Sequence, residues 1–263
     1  MCFIAQSVFA TGSDTTLQLI KEKSIKGAYT DFYADNFGNI FLVSAKNQVK
    51  KLNQDFDSAG VFNDIRRYGD IYRLDVSNPL KIIVYYKDFT TIVVLDRFLN
   101  IRNTIDLRNA GILQAKAVAQ SYDNNYWVFD ELNGKLKKID DNGKVLLESP
   151  DLRILFSYQY IPQHIIDTDG ALYLYDNKKG WTIFDYYGAF KKHIDVAGWK
   201  NVSVYRNVLR GVDSCCLQNI NTSTYSEQKV KAGETILNAV KIQQQLNKIF
   251  VLNSEGLSMY SIQ

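Results

Sequence analysis

Long apolar runs and prolines are scarce in this chain, and their scarcity excludes several classes of protein. No apolar run reaches the ~18 residues that a membrane-spanning helix needs. Only 3 of the 263 residues are proline and 15 are glycine, which argues against disordered and collagen-like chains. The 31 basic and 28 acidic side chains nearly cancel, so the net charge of +3 predicts no nucleic-acid partner.

Cysteine is equally scarce. The three cysteines are Cys2, Cys215 and Cys216, an odd number that gives no disulfide framework. We expect Cys215 and Cys216 to be small, free, buried residues of one strand, with one side chain on each face. The alternative is a strained disulfide between neighbours, which would have unusual redox behaviour.

Recognisable catalytic machinery is missing as well. Only two histidines occur, His164 at the start of an expected inner strand and His193 on an expected outer strand. A metal or catalytic site usually needs several such ligands that converge on one point. The sequence also has no Gly-x-Ser-x-Gly elbow and no phosphate-binding loop. We therefore predict no catalytic, metal or cofactor-binding residues, and structural or surface roles for both histidines.

A strand-turn-strand cassette that recurs along the whole chain is the feature that carries information. Its clearest copies occupy Asp35–Leu42, Asp123–Val128, Asp167–Leu174 and Asn253–Leu257. The third strand of successive units ends at Asn53, Asp96, Asp140 and Asp185. These markers recur about every 44 residues, which is the repeat length of four-stranded propeller blades.

Counting the units fixes the size of the ring. Five complete units are followed by a sixth that holds only three strands, between Ala239 and Ile262. The segment Thr16–Lys21 precedes the first unit and has no partner of its own, so we expect it to complete the last blade and remove two free sheet edges. The prediction is an all-β, six-bladed propeller of four-stranded blades that forms one domain over residues 11–263.

The cassette also carries a family resemblance. Asp-x-x-Gly-x-Ile/Leu-Tyr/Phe-Leu, followed by a strand that ends in Phe/Ile-Asp, resembles the six-bladed NHL-like propeller superfamily. Asp35–Leu42, Asp167–Leu174 and Trp181–Asp185 carry the pattern. The resemblance implies an architecture shared by protein-interaction platforms, RNA binders, lactonases, peptide-amidating lyases and envelope subunits, and it does not choose among them.

The first ten residues predict export. Phe3–Ala10 is apolar except at Gln6 and Ser7 and ends in Val8-Phe9-Ala10, which resembles the end of a secretory signal peptide. We interpret residues 1–10 as a signal-peptide remnant and expect a periplasmic or extracellular location; the alternative is a short apolar strand. The Lys-, Asn-, Ile- and Tyr-rich composition with this N-terminus resembles exported envelope propellers of Bacteroidota, which implies a subunit of an outer-membrane assembly such as type nine secretion.

Acidic turns provide the argument for a competing function. Asp140–Gly143 and Asp167–Gly170 begin like calcium loops, but tight hairpins explain the same residues. A channel metal site would be held by carboxylates and amides of the expected inner strands. The polar residues of those strands are mixed in sign and rich in amides: Asp31, Asp35, Asp75, Gln120, Gln163, Asp167, Arg206 and Gln243. A metal-dependent hydrolase or lyase with its site in the central channel is thus the alternative.

Aromatic and arginine-rich turns favour protein binding. Tyr, Trp and Arg are enriched where protein interfaces gain most of their affinity. The segments that combine them supply the predicted partner-binding residues Arg66, Arg67, Tyr68, Tyr186, Tyr187 and Trp199. Lysine pairs elsewhere fit solvated turns and protected outer strands. We therefore predict a non-enzymatic propeller that binds a protein through loops on one face of its ring, without a cofactor.

Overall fold

The computed structural model describes residues 17–262 as a ring of six antiparallel, four-stranded sheets. The first strand, β1 (Leu19–Lys26), belongs to the last blade. Blade 1 contains β2 (Tyr29–Ala34), β3 (Ile40–Ser44), β4 (Val49–Leu52) and β5 (Ser58–Phe62). Blade 2 contains β6 (Arg73–Asn78), β7 (Lys81–Tyr86), β8 (Thr91–Asp96) and β9 (Ile101–Asp106).

The remaining blades repeat this order. Blade 3 contains β10 (Ala115–Gln120), β11 (Tyr126–Asp130), β12 (Lys135–Ile139) and β13 (Val145–Glu148). Blade 4 contains β14 (His164–Thr168), β15 (Ala171–Asp176), β16 (Gly180–Phe184) and β17 (Phe190–Ile194). Blade 5 contains β18 (Lys200–Tyr205), β19 (Val208–Val212), β20 (Cys216–Asn221) and β21 (Glu227–Lys231). Blade 6 contains β22 (Lys241–Gln245), β23 (Lys248–Asn253), β24 (Gly256–Ile262) and β1.

Short helices occur in the connections between blades. They are α1 (Ile65–Tyr68), a 3-10 turn (Leu107–Ala110), α2 (Leu152–Phe156) and α3 (Glu234–Leu237). No helix found between residues 17 and 262 is long and apolar enough to cross a membrane.

The ring is closed as the sequence predicts. β1 pairs antiparallel with β24, from Leu19 opposite Ile262 to Lys26 opposite Gly256. The amide of Gly27 adds a hydrogen bond of 3.1 Å to the carbonyl of Glu255. The closing strand extends five residues further along the chain than the expected segment, and it gives blade 6 its fourth strand.

Six apolar layers hold neighbouring blades together. Each buried cluster combines side chains of two adjacent sheets, for example Val84 of blade 2 with Phe41 of blade 1. The central strands are buried on both faces, which explains why β3, β7 and β15 are almost continuously apolar. Many aromatics belong to these layers. The hydroxyl of buried Tyr85 donates to the Ala115 carbonyl at 2.9 Å, so its polar end is satisfied within the ring.

Turn chemistry explains the acidic markers. The first carboxylate oxygen of Asp96 accepts the amides of Phe98 and Asn100 at 2.8 and 2.9 Å. Asn53, Asp140 and Asp185 each accept amides two and four residues ahead in the same manner. The strand bounds confirm the prediction, because each marker ends or directly follows the third strand of its blade. The cassette at Asn253–Leu257 differs from the others, because it joins the second and third strands of its blade rather than the first and second.

The two rims of the ring are distinct surfaces. We name the strands of each blade A to D from the channel outward. The lower face is formed by the A–B and C–D turns, and the upper face by the B–C turns and the connections between blades. This division follows from the antiparallel order, since strands A and C run toward one rim and strands B and D toward the other.

The expectation for the paired cysteines is wrong. Cys215 is exposed in the B–C turn of blade 5, only Cys216 enters β20, and the two sulfurs are bonded to each other. The first carboxylate oxygen of Asp213 accepts the amides of Cys215 and Cys216 at 2.8 and 2.7 Å. The turn that this carboxylate organises removes the strand alternation that would have separated the two side chains.

Candidate functional site

Exposed aromatic side chains are concentrated on the lower face. The five most exposed aromatics among residues 17–262 all lie in A–B or C–D turns. They are Phe37, Phe98, Tyr122, Tyr187 and Tyr225, with 60–83% of each residue's surface accessible. An exposed aromatic loses little conformational entropy on binding and offers a large contact area, so this face has the composition of an interface.

A shared turn geometry positions three of these rings. Phe37, Phe98 and Tyr187 each follow an aspartate by two residues, and the amide of each donates to that carboxylate at 2.8–2.9 Å. The bond fixes the backbone at the tip of the turn, while the side chain leaves it toward solvent. The rings are therefore presented from rigid supports rather than from long loops.

A groove lies between blades 2 and 3 on this face. It has a volume of about 610 Å³ and is lined by the apolar side chains of Leu80 and Phe98 together with Arg97 and Arg102. The Arg97 guanidinium lies 4.6 Å from the centre of the Phe98 ring. Within residues 17–262 neither arginine forms an ion pair, whereas Lys81 at the groove edge binds Asp141 at 3.1 Å.

A second aromatic group lies between blades 3 and 4. The rings of Tyr122 and Tyr186 lie 4.1 Å apart, and the Lys138 ammonium lies 5.0 Å from the Tyr122 ring. The partly buried Asp167 beside them accepts the indole N–H of Trp127 at 2.9 Å. Burial raises the pKa of Asp167, and the hydrogen bond from Trp127 opposes that rise. Tyr187 projects outward from this group.

The predicted partner-binding residues are divided between the two faces. Tyr186 and Tyr187 lie on the lower face, whereas Arg67, Tyr68 and Trp199 lie on the upper face. Tyr68 and Trp199 are buried. Tyr68 packs against Tyr86 at 5.2 Å, and exposed Arg67 covers the Tyr68 ring at 5.2 Å. Arg66 lies in α1, and its side chain is outside the described part of the structure.

A charged cluster occupies the upper end of the channel, and we call Asp31, Tyr33, Arg73, His164 and Lys241 the channel cluster. Arg73 and His164 begin the inner strands of blades 2 and 4, and Arg73 Nη2 donates to His164 Nδ1 at 2.9 Å. Because blade 3 separates these blades in the ring, their bond crosses the channel. Asp31 binds the Lys241 ammonium at 2.6 Å and accepts the Tyr33 hydroxyl at 2.7 Å.

Burial and like charges set the protonation of the channel cluster. Burial, with the positive charges of Arg73 and Lys241, holds the pKa of His164 well below its usual value, so the imidazole is neutral near pH 7. Burial also lowers the pKa of Lys241, while the Asp31 carboxylate opposes that shift. The Lys241 ammonium lies 3.6 Å from the Tyr33 ring centre, a close cation–π contact.

One group of potential metal ligands lies close together within the described chain, but two of its members are bonded to each other. Asp213, Cys215 and Cys216 have ligand atoms within 4.8 Å of one another on the upper face, outside the channel, and the disulfide between the cysteines leaves no thiolate to bind a metal ion. The inner-strand carboxylates are engaged in the ring itself. Asp75, for example, accepts the amide of Gln120 at 2.8 Å across the boundary between blades 2 and 3.

Comparisons with known proteins identify the architecture. No family profile and no curated protein sequence matches the chain. A solved streptogramin B lyase structure superposes with a TM-score of 0.63 at 13% identity, covering 94% of this chain and 98% of that one. The β-propeller domain of Cps50 (Swd1) from Myceliophteria thermophila gives 0.62 at 8% identity, covering 94% and 100%. Similarities at this level show the propeller fold alone, and that fold does not by itself choose a function.

Proposed function

We propose that this chain is a non-enzymatic propeller that binds a protein partner through its lower face. The observation that carries the proposal is the group of five exposed aromatics on that rim. Aromatic side chains dominate binding energy when they insert into a partner's surface, and a closed ring presents them from fixed positions. Tyr187, one of the residues expected from the sequence, belongs to this group.

The groove between blades 2 and 3 indicates the chemistry of the partner. Leu80 and Phe98 offer apolar surface, and Arg97 and Arg102 add two guanidinium groups that form no ion pair within residues 17–262. Guanidinium groups bind carboxylates through paired hydrogen bonds. A partner segment with alternating apolar and acidic side chains would satisfy both kinds of surface at once.

We propose further that the protein works outside the cytoplasm, in the periplasm or beyond the cell. It would be an accessory subunit of an outer-membrane transport assembly of the type nine secretion kind. The support is the signal-like Phe3–Ala10 segment, which lies outside the described residues, together with the Lys-, Asn-, Ile- and Tyr-rich composition. The alternative, a metal-dependent hydrolase or lyase acting in the channel, draws its support from the lyases that share the fold.

Matched surface variants test the docking proposal. Purified wild-type protein and its Phe98→Ala and Tyr187→Ala variants are cross-linked to envelope extract from the source cell, and bound proteins are quantified by mass spectrometry. Phe89→Ala is the control, because Phe89 is also exposed but lies in an upper-face turn. We expect one or more proteins to be recovered with wild type and control, and about tenfold less with each lower-face variant.

Equal recovery with all four proteins, or recovery lost only with Phe89→Ala, would refute the lower-face proposal. N-terminal sequencing of the protein from its native source tests export, since removal of residues 1–10 would leave a chain that begins at Thr11. Elemental analysis tests the channel-enzyme alternative, which requires a stoichiometric divalent ion.

A further inference from the structure

The channel cluster contains more positive than negative charge. Arg73 and Lys241 carry one positive charge each, Asp31 carries one negative charge, and His164 is neutral near pH 7. The carboxylate of Asp31 is bound to Lys241 and to the Tyr33 hydroxyl, so the pairing leaves Arg73 as the uncompensated cation. A cation without a counter-charge in a partly desolvated channel attracts an anion strongly.

Arg73 also has free donors that a ligand can reach. Its hydrogen bonds within residues 17–262 all come from Nη2, toward the His164 ring at 2.9 and 3.5 Å. The buried side-chain atoms without a hydrogen bond in the described residues belong to Asp167, Trp181 and Arg210, and none belongs to Arg73. The Nε and Nη1 groups, which have no hydrogen bond to any residue between 17 and 262, are therefore accessible to solvent. Arg73 begins β6 at the upper rim, so that access is from the upper face.

We propose that the channel cluster is a binding site for a carboxylate group, held by the free N–H groups of Arg73 and by the N–H of His164. His164 accepts from Arg73 through Nδ1, which leaves its proton on Nε2 as a further donor. The channel cluster has a net charge of +1, which a monoanion such as a carboxylate would neutralise. A phosphate dianion would leave one negative charge uncompensated and would be repelled by the Asp31 carboxylate. The site lies opposite the protein-docking face and does not depend on it.

His164 reports directly on this site. The groups that face its ring are Arg73, Lys241 and the Tyr175 ring, whose centre lies 6.3 Å away. A bound carboxylate would offset the two cations, so the pKa of His164 should rise when the ligand binds. The other histidine, His193, lies on β17, where its Nδ1 is 2.9 Å from the Thr182 hydroxyl oxygen. It is an internal control in the same molecule.

The test is an NMR titration of the two imidazoles in the untagged chain. Sodium acetate is added at pH 7 and replaces sodium chloride at constant ionic strength. We expect the His164 nitrogens to shift saturably, with half-saturation on the order of 1–10 mM, while the His193 nitrogens stay fixed. Arg73→Gln should weaken the effect about tenfold or more, and Arg206→Gln, which removes an exposed lower-face arginine, should leave it unchanged.

Two further arms identify where the carboxylate comes from. A tripeptide with a free C-terminal carboxylate is compared with the same tripeptide amidated at its C-terminus. A shift of the His164 nitrogens with the free carboxylate but not with the amide identifies a chain terminus as a ligand. A shift with acetate but with neither peptide identifies a small free acid. Absence of a saturable His164 shift up to about 100 mM of every carboxylate would overturn the proposal. So would an equal shift of His193, or full retention of binding in folded Arg73→Gln. If Arg73→Gln fails to fold, the wild-type titration still decides.

Discussion

The ring-closing seam between β1 and β24 can be broken by adding a single methyl group. Gly256 begins β24, lies opposite Lys26 in the seam and has a φ of +142°. A Cβ atom built at this position would overlap the carbonyl oxygen of Ile25 and would lie 2.9 Å from Cα of Lys26. Both obstacles are backbone atoms of the partner strand, so rotation of a side chain cannot relieve them. Gly256→Ala should therefore force the two strands apart.

The structure gives the size of the effect. A backbone conformation that L-residues avoid costs about 1–3 kcal/mol, and overpacking against fixed atoms costs about 1–3 kcal/mol more. We expect the free energy of unfolding to fall by about 2–6 kcal/mol. For a domain of this size each kcal/mol lowers the melting temperature by about 2–4 °C, so a loss of about 4 kcal/mol corresponds to about 8–16 °C.

Differential scanning calorimetry measures the melting temperature, and hydrogen exchange locates the damage. Gly60→Ala is the control, because it makes the same chemical change in strand β5, where the new Cβ would have its nearest atom at an ordinary 3.5 Å. We expect the control to change stability by less than about 1 kcal/mol. In Gly256→Ala the amides of β1 should exchange faster than those of blade 3. A melting temperature within about 2 °C of wild type would refute the account of the seam.

Two further predictions concern buried charges. Asp130 is fully buried and binds the buried Lys137 ammonium at 2.9 Å. Asp130→Ala should lower the free energy of unfolding by about 3–5 kcal/mol, because it leaves that ammonium with only the partly exposed Glu148 carboxylate, 3.6 Å away. Urea denaturation measures the free energy of unfolding, and Glu227→Ala, which removes the exposed ion pair between Lys229 and Glu227 at 4.0 Å, is the control. A loss of free energy of unfolding in Asp130→Ala no larger than in Glu227→Ala would contradict the prediction. His164 has a pKa in the folded protein below its unfolded value of 6.5, so the unfolded chain binds the extra proton and stability falls as the pH drops below about 6.5. His164→Asn should flatten the melting-temperature profile between about pH 6.5 and 5, and an unchanged slope would refute the assignment.

The sequence predicted those features of the fold that depend on local chemistry and on counting. Asp96 and Asp185 could be recognised as turn residues because an aspartate that accepts nearby amides acts within five residues of chain. The closing strand could be predicted because a propeller with an incomplete blade leaves two free edges. Neither inference required a distance between residues far apart in the sequence.

The functional surfaces were harder to predict because they depend on which side chains the ring buries. Tyr68 and Trp199 have the residue types of a recognition site, but both are buried within the propeller. The Trp199 side chain covers Gly211 so closely that a Cβ atom at position 211 would lie 2.6 Å from the Trp199 indole. The contact between Arg73 and His164 joins residues 91 positions apart and exists only because blades 2 and 4 meet at the channel. One overlooked signal was available: an aromatic residue two positions after a turn aspartate, as in Phe37, is presented to solvent.

The closing seam also determines how the molecule should respond to mechanical force. β1 starts and β24 ends at the lower face, with Leu19 opposite Ile262, so both ends of the propeller leave at the same end of one antiparallel pair. Tension applied between them loads the hydrogen bonds of the seam one after another, beginning at Leu19 and proceeding toward Gly256. The pair would peel open at low force instead of resisting in shear. The seam that leaves no free sheet edge for other strands to pair with can thus be opened by tension between the first and last strands of the propeller.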